Sequence, residues 1–365
     1  MKVLISGASV GGPVLAYWLR RHGFEATIVE RAPSPRTGGQ AIDIRGAALT
    51  VADRTGILEQ ARALRTTMRG MSMVDGDGNE IMRNTEETLS GGRFDSPDVE
   101  LMRDDLTALV LSALDGTGTG IRYGDSIATL AQDVGGVDVT FDSGRRGRYD
   151  YVVGADGLHS NVRRLAFGPE ERYLHHLGAY VSIFTAPNFL GLDHWQTWFR
   201  EGEVGGVVYS DRDAATMRVN LGFHAGPLAY DHRDVDAQKR LVQEHCAGLR
   251  WEGPRLLDAM GKADDFYFDA MAQVRMERWS AGRVTLVGDA GYCASPLSGQ
   301  GTSLAMVGAY VLAQELAAGP DGALDRYERR MRPFAAANQA LALENPGEGA
   351  SPESVQRAAA AITLD

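Results

Sequence analysis

Cysteine is almost missing. Cys246 and Cys293 are the two in 365 residues, too few for a disulfide framework or a cysteine metal cluster. A reducing, cytoplasmic setting is the simplest compartment. Basic charge is also short: 37 Lys and Arg stand against 48 Asp and Glu, a formal net charge of −11. Surfaces for nucleic acid or anionic membrane need the opposite balance, so neither is expected as a partner. Long apolar runs are lacking too. The most membrane-like stretch, Leu304 to Leu316, contains Gln314 and Glu315 and falls short of the ~20 residues of a span, so it reads as a buried helix. The start, Met1 to Gly7, gives four strand-like residues and a turn, without the apolar core and cleavage site of a secretory signal. His175-His176 has no companion ligands, and no metal site is expected. No G-x-S-x-G elbow occurs, and Cys293 has no obvious base beside it.

Three short segments far apart in the chain carry the information. The first is the turn Gly7-Ala8-Ser9-Val10-Gly11-Gly12, set between a strand-like run and a helical one. Backbone amides in such a turn can bind a dinucleotide pyrophosphate. Ser9 stands where G-x-G-x-x-G has its second glycine, a small residue that still lets the backbone approach. Glu30 ends the next strand, 23 residues after Gly7, where a carboxylate bonds a ribose 2′-hydroxyl and repels a 2′-phosphate. The second segment is Val152-Val153-Gly154-Ala155-Asp156-Gly157, and the third is Val284-Thr285-Leu286-Val287-Gly288-Asp289. Each sets a carboxylate just past an apolar strand, placed to accept hydrogen bonds from ribose or ribityl hydroxyls. One ligand served by turns so scattered is long, which favours FAD over NAD.

The chain is long enough for one large α/β domain and a smaller one. Lys2–Ser6, a helix over Val14–His22 and Ala26–Glu30 form a βαβ opening. A hairpin is expected in Met71–Met82 around Asp75-Gly76-Asp77-Gly78-Asn79. That segment mimics a calcium loop, but Glu80 occupies the place that needs glycine. Arg103 to Leu114 is a helix with acidic residues in its first turn. From Gly178 to Phe223 alternating, aromatic-rich runs predict an antiparallel sheet. Helical patterns then fill Val235–Gly248 and Arg255–Gly261, a strand Arg283–Val287 and a long helix Thr302–Ala318. The expected division is a discontinuous nucleotide-binding domain (1–70, 99–170 and 279–345), an inserted sheet domain (71–98 and 171–278) and a helical tail (346–365). Gly116-Thr117-Gly118-Thr119-Gly120 is followed by no helix and reads as a loop, so a second dinucleotide fold is not expected.

Together with Ser295-Pro296-Leu297-Ser298-Gly299-Gln300-Gly301-Thr302, these segments resemble the three fingerprints of the class A FAD-dependent aromatic monooxygenases, the para-hydroxybenzoate hydroxylase family. The likeness covers about residues 1 to 340. It is closest to the branch of tetracycline-inactivating flavin monooxygenases, as the spacing from Asp289 to Pro296 and Gly38-Gly39-Gln40-Ala41-Ile42-Asp43 indicate. The resemblance implies a Rossmann-like FAD domain with an inserted antiparallel-sheet substrate domain. It implies that Gly7, Ser9, Val10, Gly12 and Glu30 hold the ADP half, with Arg31 nearby. Arg103 would reach the pyrophosphate or ribityl region, and Asp43 would sit beside the flavin. Gly288 and Asp289 would bind the ribityl chain. Pro296, Gly299, Gln300, Gly301 and Thr302 would present helix-start amides to the flavin's N1–C2=O edge. Asp156 would serve FAD and NADPH, directly or through structure, and Arg36 would meet the nicotinamide cofactor.

The activity so implied is oxygen insertion into an aromatic or polycyclic, polyketide-like molecule. NADPH or NADH is a transient co-substrate, O2 the oxidant and a flavin C4a-hydroperoxide the oxygen donor. By family analogy the loop Gly38–Arg45 lets the flavin swing. Trp198, Met217, Asn220 and His224 are substrate-pocket candidates, each equally readable as a packing residue. Trp195-Gln196-Thr197-Trp198 lacks the Ile-Pro of the flavin halogenase box, which argues against halogenation. A Baeyer–Villiger, epoxidising or dehydrogenating flavoenzyme of the same fold stays open, as does a non-catalytic, redox-responsive flavin-binding protein. A monomer or weak homodimer is expected.

Overall fold

The computed structural model describes residues 1–35, 38–86, 96–210, 212–345 and 349–365. The opening segment follows from its composition. Val3, Leu4 and Ile5 are fully buried in the strand Lys2–Ser6, as a run apolar on both sides must be in a parallel sheet covered on both faces. Helix Gly11–Arg21 packs its Val14, Leu15 and Leu19 back onto that sheet, and Glu25–Glu30 returns parallel beside the first strand.

Six strands form this sheet among the described residues, in the order Ser280–Ala281, Val284–Leu286, Tyr151–Gly154, Lys2–Ser6, Glu25–Glu30 and Gly120–Tyr123. All pairings are parallel except that of the edge strand Ser280–Ala281. The long helix Gly301–Ala317 lies against helices Gly11–Arg21 and Ala47–Thr55, with the Trp18 ring edge-on to Tyr310 at 4.8 Å. Helix Ala323–Leu341 covers the long helix from outside, and Tyr292, Tyr327 and the Leu286 carbonyl join it to the sheet by hydrogen bonds of 2.9 Å.

Among the described residues a seven-stranded sheet makes the second layer, in the order Tyr267–Val274, Leu174–Pro187, Thr216–His224, Val204–Ser210, Trp195–Glu201, Gly70–Val74 and Glu80–Asn84. It is antiparallel apart from the Trp195–Glu201 and Gly70–Val74 pair. Register gives each face its identity, because directly opposed residues point the same way. Val74, Phe199, Leu221 and Phe268 share the outer face, buried against helices Val235–Cys246 and Gly253–Lys262 with Phe184 and Phe223. The other face carries a row of Met73, Trp198, Val207, Asn220, Ile183 and Tyr267 and looks toward the six-stranded sheet. Contacts cross between the layers on that side. The Tyr209 hydroxyl accepts from the Ala41 amide at 2.8 Å, Arg212 pairs with Asp105, and Arg218 lies 3.9 Å from Asp104.

Asp75 Oδ1 accepts the amides of Asp77 and Asn79 at 2.9 Å, so this segment is a hairpin turn with its carboxylate spent on its own backbone. No helix among the described residues is long and apolar enough to cross a membrane.

Candidate active site

Strands Lys2–Ser6, Tyr151–Gly154 and Val284–Leu286 are neighbours and run parallel. The turns that follow them therefore emerge at one edge of the sheet, its carboxyl end, where open α/β sheets bind ligands. Segments separated by more than a hundred residues become adjacent for that reason alone.

Close packing shapes the first turn. Gly7 has φ +110°, and a Cβ there would meet the Ala155 carbonyl oxygen at 2.3 Å. A Cβ on Gly12 would lie 2.0 Å from the Gly7 carbonyl oxygen. Only glycine lets these backbones touch. Ser9, half-buried, accepts a 3.2 Å hydrogen bond at Oγ from Arg103 Nη2, and Val10 precedes the helix as its N-cap. Glu30 caps the same turn from below: Oε2 accepts the Ala8 amide and Oε1 the Ala32 amide, each at 2.8 Å. Arg31 is exposed beside it. Arg36 lies outside the described residues.

At the third turn Gly288, with φ +65°, delivers Asp289 to the first position of the short helix Asp289–Tyr292. Burial pushes the Asp289 carboxyl upward, while Cys293 and the Arg103 charge pull it down. A Cβ on Gly301 would lie 3.7 Å from Asp289 Oδ1, so the carboxylate borders the start of the long helix. Ser295 at φ +76° and Gly299 at φ +65° fold the intervening segment back. Pro296 is exposed, Thr302 half-buried and Gln300 fully buried. Neither amide atom of Gln300 has a hydrogen-bond partner among the described residues.

Asp43 stands on strand Ala41–Ile44, which pairs with Val99–Met102. Burial raises its pKa, against the pull of Arg45 at 2.9 Å. The Arg45 amide donates to Ser303 Oγ at 3.1 Å, joining this strand to the long helix. Asp156 is turned inward instead. Its carboxylate accepts Ser6 Oγ at 3.1 Å, Ser160 Oγ at 2.5 Å and the Val162 amide at 3.1 Å, locking helix Asn161–Phe167 to the opening strand.

Of the pocket candidates, Trp198 and Asn220 share the row that faces the turns, and Asn220 Oδ1 is buried without a partner among the described residues. Met217 is not brought there: it is 1% exposed in the outer core, on the opposite side of its strand. His224 is exposed at the strand end.

Sequence reasoning gave no role to Arg163, which is fully buried. It donates to the Ala290 carbonyl at 3.0 Å, the Leu158 carbonyl at 2.6 Å and Glu170 at 2.6 Å, tying the second turn to the third. Its place seven residues after Asp156 was the available signal. His159, Tyr267 and Asp269 were also missed.

The donor set fits FAD. A glycine cradle that a Cβ would fill, an arginine bridging from Ser9 toward Asp289, the Asp289 carboxylate at the start of the long helix and an unpartnered buried amide suit a long ligand with phosphates at one end and a polyol and polar ring at the other. Fold and site together define a Rossmann-like flavin enzyme with a sheet facing the cofactor. Residues 1–342 match the family model described as FAD binding domain, and the chain belongs to that family, as a flavin-dependent monooxygenase with FAD as its cofactor. A "Flavin-dependent monooxygenase" of an unknown prokaryotic organism is 41% identical over 93% of this chain and 88% of its own length. An uncharacterized protein of Mycobacterium tuberculosis H37Rv is 50% identical over 99% and 98% of the two chains. The crystal structure of the tetracycline destructase Tet(51) superposes with TM-score 0.90 at 34% identity, covering 100% of this chain and 99% of that one.

Proposed function

We propose that the protein inserts one oxygen atom from O2 into an aromatic or polycyclic, polyketide-like small molecule, using NADPH or NADH as reductant. One observation carries this. A largely apolar row, Met73, Trp198, Val207, Asn220, Ile183 and Tyr267, shares one face of its sheet, and that face meets the FAD side: Tyr209 accepts from the Ala41 amide, Arg218 lies 3.9 Å from Asp104, and the charges of Arg103 and Asp289 act on Tyr267. Such a row suits a flat hydrophobic molecule, with Asn220 Oδ1 as a buried acceptor to orient it. Likeness to a tetracycline destructase points to fused-ring substrates.

FAD, when bound, supplies hydride acceptance and oxygen activation. The chain's own residues bind, orient and exclude water. Amides of the Gly7–Gly12 turn and Arg103 would hold the phosphates, Glu30 and Asp289 would accept ribose and ribityl hydroxyls, and Gln300 to Thr302 would meet the ring edge. With the flavin in place the sheet row would cover its ring, which would protect reactive oxygen from water. NAD(P)H oxidation screened with phenolic and fused-ring compounds, read by product mass, tests this. A product heavier by one oxygen is expected. A product lighter by two hydrogens makes the enzyme a dehydrogenase, and no stimulation by any compound rejects the substrate class.

A further inference from the structure

Oxygen insertion takes up one solvent proton in each turnover. The balance is NADPH + H⁺ + O2 + S → NADP⁺ + SO + H2O. A chamber closed against water needs a path for that proton.

One file of hydrogen bonds leads from the chamber face to the surface. Tyr267, the end of the row that holds Asn220 and Trp198, donates its hydroxyl proton to Asp269 Oδ2 at 2.9 Å. Asp269 points from the same side of its strand and is 9% exposed. Its Oδ1 lies 3.0 Å from His159 Nε2 and accepts the Tyr230 hydroxyl at 3.2 Å. His159 Nδ1 is 2.7 Å from Glu170 Oε1, whose side chain is 26% exposed. The exposed His232 ring stacks on His159 with centroids 4.6 Å apart. Flavin binding as described above uses none of Tyr267, Asp269, His159 and Glu170.

We propose that Glu170, His159, Asp269 and Tyr267 form the proton path between solvent and the reaction chamber, an inference that rests on the monooxygenase function above. The surrounding charges suit the task. Burial alone lowers the His159 pKa, but its bonds to Asp269 and Glu170 outweigh that and push it up to about 10, so the ring holds its proton at neutral pH. Burial keeps the Tyr267 hydroxyl well above its ordinary value, with Asp269 and Asp289 raising it and Arg103 lowering it. Glu170 is held below the usual carboxylate range against its own burial by His159, Arg163 and His232. His232 is lowered by its own burial, His159, Arg233 and Arg31, and raised by Asp231. In the step, the Tyr267 O–H bond breaks and its proton joins reduced oxygen in the chamber. His159 Nε2–H then passes its proton to the Asp269 carboxylate, the Asp269 carboxyl hands a proton to the phenolate oxygen and is a carboxylate again, and water reloads His159 through Glu170. No electrons move along the file, and its net transfer is one proton.

The test uses the full-length holoenzyme and two variants, His159→Gln and Tyr267→Phe. Without any substrate, the dithionite-reduced holoenzyme is mixed with O2, where FADH⁻ + O2 + H⁺ → FAD + H2O2 consumes the same proton. Rates are taken in H2O and D2O between about pH 6 and 9. Nitrogen-15 NMR of His159 in the resting protein gives its protonation state independently of activity. Expected are an imidazolium that persists above neutral pH, and variants that bind FAD as the wild type does but reoxidise at least about tenfold more slowly. Added imidazole should restore the His159→Gln rate. A neutral His159 at pH 7, or both variants with wild-type rates and isotope effects, overturns the path alone. A wild-type chain that takes up no FAD overturns the function and the path together.

Discussion

Gly12→Ala sets two known effects against each other. Gly12 is the second residue of helix Gly11–Arg21, and in an ordinary helix alanine would be favoured by about 1 kcal/mol. Here the new methyl would sit 2.0 Å from the Gly7 carbonyl oxygen and 3.3 Å from Ile5 Cγ2, well inside the ~3.5 Å of a comfortable contact. The first helix must then withdraw from the opening strand by roughly 1 Å, or the Gly7 turn must distort. Forcing a methyl into a packed site costs about 1–3 kcal/mol. Gly7, at φ +110° with its own Cβ position filled by Ala155, has little freedom to relieve the clash. The clash outweighs propensity. Because the displaced atoms are the amides that would face the pyrophosphate, the loss should fall mainly on FAD. At about 1.4 kcal/mol per factor of ten, the Kd should rise at least about tenfold. The apoprotein's Tm should drop by a few degrees. Flavin fluorescence titration and thermal unfolding of the apoprotein read both. A Gly12→Ala protein with unchanged Kd and unchanged Tm would refute the close-approach reasoning.

Asp289→Ala should yield mostly flavin-free protein, since it removes the half-buried carboxylate beside the long helix; a fully yellow, active variant would discard that role. Asn220→Ala should change the KM for the organic substrate while leaving Tm nearly unchanged. Met217→Ala should do the opposite, costing about 2–5 kcal/mol of stability by opening a core cavity without altering KM. An altered KM for Met217→Ala alone would show that the two sides of that strand have been exchanged. His159 binds its proton more tightly when folded, at about 10 against 6.5, so its stabilising contribution is complete below about pH 6.5 and is lost as pH rises toward 10. Urea unfolding of the wild type should therefore weaken more steeply across that window than unfolding of His159→Gln, and parallel slopes would reject the charged assignment.

The nucleotide-binding half is legible in sequence because its signals are local. Val3, Leu4 and Ile5 run into a glycine turn, and Val284 to Leu286 run into Gly288-Asp289, so strand and turn are read within one short window. What eluded local reading depends on pairing across the chain. The alternation in Thr216–His224 separates Met217 from Asn220 but does not say which side faces the flavin domain. Only the register with Val207 and Ile183 decides it. His159 and Asp269 are 110 residues apart, and neither has a distinctive neighbourhood. Helix Ala323–Leu341 was hidden by Arg326, Arg329, Arg330 and Arg332 and by an internal Pro333. Its apolar stripe, Leu324, Tyr327, Met331 and Phe334, is buried all the same. Asp156 was visible as a turn carboxylate, yet its use depends on Ser6 and Ser160, which bend it inward to hold the fold.

The most direct measurement is the visible spectrum of the purified chain during FAD titration, followed by reduction with NADPH. Equimolar uptake of FAD to a yellow protein, bleached by NADPH and recoloured by air, is the predicted result. A colourless polypeptide that takes up no flavin would contradict the assignment of all three turns.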